Sequence, residues 1–260
     1  MPRFQAVVFD WAGTVIDFGC FAPMGAFVEA LAAFGVAASI DDARGPMGLP
    51  KRDHIRALLA LPHIGAQWTE AHGAAPDERA VDQVFRVFVP LNEEVASRHA
   101  ALVPGAGPAV AALRARGLRI GSTTGYTRSI MARILPVAAA QGYAPDCLVC
   151  ADDVAGGRPG PEAMQACLAA LDIAAPALAI KVDDTEPGIA EGVAAGCVTV
   201  GVALSGNYVG RTPEQLLAMA PDAVAGLRDA AAERLRRAGA DHVIDTVADL
   251  PALVALLDPG

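Results

Sequence analysis

A chain of 260 residues, 53% of them hydrophobic, has material for one large domain or for a core domain carrying an insert. Its formal net charge of −9 argues against nucleic acid or an anionic membrane surface as a non-specific partner, although local cations can still hold an anionic substrate. No apolar run reaches transmembrane length without Gly, Pro or a charge, and Asp10 and Asp17 fall where a signal peptide would be apolar, so a cytoplasmic protein is expected.

In chain order, Val7, Val8 and Phe9 read as a short strand without polar alternation, as expected of a strand buried on both faces. It runs into Asp10-Trp11-Ala12-Gly13-Thr14. In an open parallel sheet that is where ligands bind, and Gly13 permits a tight turn with amides aimed at an anion. The plainer alternative makes Asp10 a turn cap. Next comes a helical pattern around Met24, Phe27, Leu31 and Phe34, then helices over Lys51–Leu61 and Asp77–Arg98, the latter expected to kink or break at Pro90. No strand is expected between residues 19 and 99, which marks an inserted helical cap.

Beyond Pro104-Gly105 helix and strand alternate. Val110–Arg116 reads as a helix, and strands are expected at Leu118–Thr124, Cys147–Ala151, Leu178–Val182, Val198–Val202 and His242–Ile244. Residues 212–239 read as a polar-faced helical region. The pattern predicts an α/β fold: a doubly wound, parallel, Rossmann-like core over residues 1–18 and 100–260, with a helical cap domain over 19–99. Four strand ends carry Asp or Thr: Asp10; Thr124; Asp152 and Asp153; Asp183 and Asp184. Their alignment points to an active site. The five scattered cysteines suggest no disulfide framework, and Cys147 and Cys150, three apart on a strand, would face opposite sides of it. Both read as core residues.

Asp10-x-Ala12-Gly13-Thr14, Thr124, Arg158 and Asp183-Asp184 together resemble the four ordered motifs of the haloacid dehalogenase superfamily, over essentially the whole chain. Two departures narrow the resemblance: Ala12 stands where the family's second aspartate is usual, and Arg158 where a lysine is usual. With the segment Met47-Gly48-Leu49-Pro50-Lys51-Arg52-Asp53-His54-Ile55 and Ser122-Thr123-Thr124-Gly125-Tyr126-Thr127, the chain resembles the phosphonatase branch. The resemblance implies hydrolysis of a carbon–phosphorus bond in phosphonoacetaldehyde, a homodimer, and lid or substrate-facing positions for Cys20, Met47, Gly48 and Tyr126. A superfamily phosphatase or phosphomutase acting on a phosphate ester is the alternative enzyme, and a non-catalytic phosphate-binding scaffold the alternative outside catalysis.

The residue types suit that chemistry. Without a carboxylate at position 12 an alcohol leaving group lacks its general acid. A carbon leaving group needs an electron sink, which a lysine supplies by condensing with the aldehyde. Arginine never presents a free amine, and this arginine-biased chain has only two lysines, Lys51 and Lys181. Pro50 reads as the first residue of a helix, placing Lys51 in the first turn, where the dipole disfavours ammonium. Deprotonating a lysine of ordinary pKa at pH 7 costs about 4.6 kcal/mol, which burial under a lid would reduce. His54, on the same helical face, is placed to relay the proton.

Asp10 would attack phosphorus. Mg²⁺ would bind Asp10, Asp184 and the backbone carbonyl of Ala12. Arg158 and Thr124, with amides near Gly13 and Gly125, would hold the phosphoryl oxygens. Plainer alternatives stand beside these: Lys51 as an exposed helix lysine, Arg158 paired with Asp152 or Asp153, Met47 as core filler, Cys20 as an inert buried thiol. Asp183 suits ligation or support equally, Lys181 either pairs with the site carboxylates or stands apart from them, and His63, His72, His99 and His242 read as structural or surface residues.

Overall fold

The computed structural model describes residues 3–259. Strand β1 is Ala6–Phe9. Five helices follow it: α1 (Ala22–Ala32), α2 (Ile40–Arg44), α3 (Lys51–Leu59), α4 (Pro62–His72) and α5 (Glu78–Ala96). Then α6 (Ala106–Ala115) leads to β2 (Arg119–Thr123), α7 (Arg128–Ala140) to β3 (Cys147–Val149), and α8 (Glu162–Ala170) to β4 (Ala179–Asp183). Helix α9 (Glu186–Ala195) leads to β5 (Val198–Val202), α10 (Pro213–Leu217) and α11 (Pro221–Arg237) to β6 (His242–Ile244), and α12 (Leu250–Leu257) closes the chain.

The six strands form one parallel sheet in the order β3-β2-β1-β4-β5-β6. The chain leaves β1 toward β2 on one side and returns to β4 on the other. The strand order therefore reverses beside β1, with Phe9 opposite Val182 in register. Such a switch point opens a crevice at the carboxyl ends of the strands. Successive residues of β1 face opposite layers. Val7 and Phe9 pack into a cluster that continues through Phe27 of α1, Leu58 of α3 and Phe88 of α5, while Ala6 and Val8 pack against Met164 and Leu168 of α8. A strand covered on both faces cannot alternate polar and apolar residues, which is why its sequence does not.

The doubly wound parallel sheet agrees with the expected fold class, and among the described residues no strand lies between 19 and 99. Several boundaries differ. The helix expected to run to Leu61 ends at Leu59, and Pro62 starts α4 as its first residue, since a proline there gives up only an N–H that would be unpaired anyway. Pro50 caps α3 rather than opening it. Helix α5 passes through Pro90 without a break. Pro90 and Arg86, four residues earlier, both lie on the exposed face, where water can satisfy the freed carbonyl. Strand β3 ends at Val149, so Cys150 lies beyond it; Cys150 is buried and Cys147 half-buried. No helix among the described residues is long and apolar enough to cross a membrane.

Candidate active site

The reversal of strand order brings three carboxylates together. Asp10 follows the last residue of β1, Asp183 ends β4, and Asp184 comes next. One carboxylate oxygen from each lies within 4.8 Å of the others, and all three residues are buried. Gly13, at φ +85°, makes this packing feasible: a Cβ there would sit 2.2 Å from Asp184 Oδ2. Thr14 Oγ1 donates to Asp184 Oδ1 (3.0 Å) and the Asn207 amide to Oδ2 (2.8 Å).

The electrostatic cost of this cluster is large. Burial, with the neighbouring charge of Asp183, pushes Asp10 up to about 6 against the pull of Arg158 and Lys181. Burial, with Asp10 and Asp183 adding, lifts Asp184 well above the usual carboxylate range. Burial alone would raise Asp183 too, but Arg158, Lys181 and a hydrogen bond from Thr185 reverse it and hold it low. Asp183 is engaged on both oxygens. Its Oδ1 accepts from the Thr185 amide (3.0 Å) and hydroxyl (2.7 Å). Its Oδ2 lies 3.1 Å from Lys181 Nζ and 3.4 Å from Arg158 Nη2, at ion-pair distance without hydrogen-bond geometry.

Arg158 enters from the loop after β3 and pairs through Nη1 with Asp10 Oδ1 at 2.9 Å. It does not pair with Asp152 or Asp153. Those two serve the loop: Asp152 accepts from the Arg128 amide (2.8 Å), and Asp153 pairs with the Arg128 guanidinium (Nε–Oδ1 2.9 Å). The strand-end pair Asp152-Asp153 therefore lies outside the cluster that the other strand ends build. A lone arginine on the neighbouring helix was enough to claim it.

A small cavity of about 20 Å³ opens against Asp10, Ala12, Thr124, Gly125 and Arg158, and the inserted segment closes it with Met47, Gly48 and Lys51. Tyr126 also lines it, as does Thr185. Thr124 turns its hydroxyl to the Tyr126 amide (3.1 Å), shaping the turn after β2. Gly13 and Cys20 stand behind the wall rather than on it. Cys20, at φ +56°, is buried, and burial with the charges of Asp184 and Asp17 keeps its thiol well above its ordinary pKa.

Lys51 is the first residue of α3 and only 5% exposed, so it is not a surface lysine. Among the described residues no carboxylate lies within ion-pair distance of it. Its Nζ is 3.8 Å from Met47 Sδ, 4.7 Å from the Tyr126 ring centre and 5.7 Å from that of Phe27. Burial lowers its pKa from 10.5 to about 8, with Cys20 and Asp10 only partly opposing the shift. At that value the free amine costs about 1.4 kcal/mol at pH 7.

His54 sits one turn further on but does not line the cavity. Its Nε2 lies 2.9 Å from the Ala43 carbonyl, and its ring stacks on Phe27 at 3.8 Å. A carbonyl only accepts, so Nε2 carries the proton and the buried Nδ1, which has no partner, presents a lone pair. Burial and the Lys51 charge hold the ring neutral, well below the ordinary imidazole pKa.

Sequence reading left several buried polar residues of this region without a role, among them Thr123, Thr185, Glu191 and Asn207. Glu191 carried a usable signal, an acidic residue amid the apolar and glycine positions of α9. Lys181 is resolved in favour of pairing, with Asp183 and Glu191 both within 3.1 Å. His63, His72 and His99 are partly exposed and lie outside the cavity, as does His242.

Comparison with known proteins agrees with this geometry. The family model for haloacid dehalogenase-like hydrolases matches residues 4–196. Proteins named phosphonoacetaldehyde hydrolase from Paraburkholderia xenovorans (strain LB400) and Paraburkholderia phytofirmans are 52% and 51% identical, each over 98% of this chain and 95% of their own length. The crystal structure of a phosphonoacetaldehyde hydrolase-like protein from Oleispira antarctica superposes with a TM-score of 0.96 at 39% identity, covering 98% of this chain and 92% of that one. The chain belongs to the haloacid dehalogenase-like hydrolases, and within them to the phosphonoacetaldehyde hydrolase family.

Proposed function

We propose that this chain hydrolyses the carbon–phosphorus bond of phosphonoacetaldehyde to acetaldehyde and phosphate. The observation that carries the reading is Lys51: a buried amine without a carboxylate partner, in the wall of the same cavity as Asp10. In this reading residues 1–18 and 100–260 form the core domain, and residues 19–99 a cap whose closure brings Lys51 over the sheet. The reading also takes the enzyme as a cytoplasmic homodimer, as its family resemblance implies.

Neutral Lys51 Nζ adds to the aldehyde carbon, and loss of water leaves a protonated imine. The Asp10 carboxylate then attacks phosphorus. The electrons of the breaking C–P bond pass into the imine and give an enamine, while phosphorus remains on Asp10. Protonation of the enamine carbon and hydrolysis of the imine release acetaldehyde, and water cleaves the aspartyl-phosphate. Arg158 and the amides around Gly125 balance charge on the phosphoryl oxygens. The apolar ring of Tyr126 and the Met47 thioether exclude water around the amine, which is what keeps it neutral. His54 Nδ1 is a buried base near Lys51 and suits proton transfer during imine formation.

The carboxylates fit a hard divalent cation. Asp10 and Asp184 are both pushed toward protonation by burial and by neighbouring carboxylates, Asp183 in each case, and their oxygens converge. Asp10, Asp184 and the Ala12 carbonyl would hold Mg²⁺, with Asp183 in support. When bound, the ion supplies charge neutralisation between a dianionic phosphonate and the Asp10 carboxylate.

Ala12 disfavours the phosphate-ester alternative, because no carboxylate stands there to protonate an alcohol. The test is phosphate release from phosphonoacetaldehyde, with and without Mg²⁺, alongside borohydride trapping. Native protein should release phosphate only with Mg²⁺ and be inactivated by borohydride with substrate. Lys51→Arg should lose both by about 10³-fold or more, equivalent to ~4 kcal/mol of barrier. Asp10→Asn should lose phosphate release yet still be trapped. Full release by Lys51→Arg would refute the reading.

A further inference from the structure

An arginine next to a nucleophilic carboxylate poses a problem. Guanidinium and carboxylate prefer a two-point fork, which would occupy both oxygens of Asp10. A guanidinium offers two such edges, Nε with Nη2 and Nη1 with Nη2, and both need Nη2. Here neither edge is free. Arg158 Nη2 donates to the Thr123 carbonyl (3.0 Å) and to Thr123 Oγ1 (3.0 Å), and Nε donates to Glu191 Oε2 (3.1 Å). Only Nη1 is left to meet Asp10, at one point.

The device that holds Nη2 and Nε is itself closed. A threonine hydroxyl has one proton and two lone pairs. Thr123 Oγ1 gives its proton to Glu191 Oε2 (2.8 Å) and accepts from Arg158 Nη2 and from Lys181 Nζ (2.6 Å). Lys181 Nζ also lies 2.9 Å from Glu191 Oε2, so the carboxylate has its countercharge from below and stays available to Arg158. All four residues are buried, Thr123, Glu191 and Lys181 completely. Helix α9 is shaped for it: a Cβ on Gly192 would lie 2.8 Å from Lys181 Cβ.

We infer that Glu191, Thr123 and Lys181 form a positioning set that restrains Arg158 to one-point contact with Asp10, keeping the second Asp10 oxygen free to react. The inference rests on the proposed role of Asp10 as nucleophile. Glu191 touches neither substrate nor Asp10 and acts through Arg158. Removing the acceptor on Nε, or the hydroxyl that ties it to Nη2, lets the guanidinium turn its full edge onto Asp10.

The experiment compares Glu191→Leu, Glu191→Gln and Thr123→Val with native protein in two assays, Mg²⁺-dependent phosphate release and borohydride trapping of Lys51 with phosphonoacetaldehyde. Release should fall about 10–100-fold in Glu191→Leu and Thr123→Val, and less in Glu191→Gln, which keeps an acceptor for Nε. Trapping should stay within about twofold of native in all three, since imine formation takes place at Lys51. Two results overturn the inference: release within twofold of native in all three variants, or parallel loss of release and trapping, which would mark a purely structural network. Should Glu191→Leu not fold, Glu191→Gln and Thr123→Val decide alone. Failure of the native protein to be trapped would instead refute the proposed function.

Discussion

The two lysines of this chain are both buried, and their surroundings are opposite. Lys181 lies in β4 among Asp183, Glu191 and the Thr123 hydroxyl, each within 3.1 Å. Lys51 caps the cavity among a thioether and two aromatic rings, without a carboxylate partner. Burial without compensation favours the neutral amine, and burial with compensation favours the ion. The same side chain thus stands as an unpaired amine at the cavity, as the proposed imine formation requires, and as a member of a buried ion-pair cluster on the sheet side.

The sharpest way to break this contrast is to remove each charge with a side chain of similar reach. Lys51→Met should abolish borohydride trapping while leaving stability to denaturant unchanged or raised, because an unpaired buried amine is replaced by an apolar group. Lys181→Met should destabilise by about 3–5 kcal/mol, because Glu191 and Asp183 lose a buried partner. Equal destabilisation by the two substitutions, read from urea midpoints, would erase the distinction.

A second test follows pH. With Lys51 at about 8, the trapping rate should climb as the proton leaves and level off above pH 8. Stability should follow the same group. Below pH 8 both folded and unfolded chains hold the proton. Between about 8 and 10.5 only the unfolded chain does, so this group adds stability as pH rises, by as much as about 3 kcal/mol. The difference between native protein and Lys51→Met, measured at both ends of that window, isolates the contribution. A constant difference would place the folded pKa near its ordinary value.

The smallest expected effect is at Met47. Met47→Leu keeps the volume and loses the sulfur 3.8 Å from Nζ, so trapping should change less than about fivefold. A much larger loss would make the thioether a functional neighbour of the amine rather than part of its dry wall.

The parallel sheet was legible from its central strand, where Val7–Phe9 is covered on both faces and reads as an unbroken apolar run ending in Asp10, and from the alternation of short strands with helices beyond it. Asp10, Lys51 and Thr124 were legible because each sits at a strand end or helix start, where a chemically able side chain is conspicuous, whereas Arg158, in the loop between β3 and α8, was legible through its place among the ordered family motifs. Residues of the sheet interior were harder. Thr123 is one position before the strand-end threonine and nothing local separates it from an ordinary polar residue, while Glu191 offers only the weak signal of an acid among the apolar and glycine positions of α9. Asp152 and Asp153 mislead for the converse reason: they occupy a strand end, yet Arg128 draws them to the loop. Pro90 likewise reads as a breaker until its exposed face is known.

By itself the sequence determined which residues are chemically able: an amine kept as lysine in an arginine-rich chain, an aspartate after a buried strand, an alanine where a general acid would stand. Those are properties of residue type and immediate spacing. The tertiary structure alone decided which charges are shared, that Arg158 serves Asp10, Asp183 and Glu191 and not Asp152 or Asp153, and that Lys181 is paired while Lys51 is not. Pairing depends on distance through space and on exclusion of water, and both are set where β1 and β4 meet beneath the inserted helices.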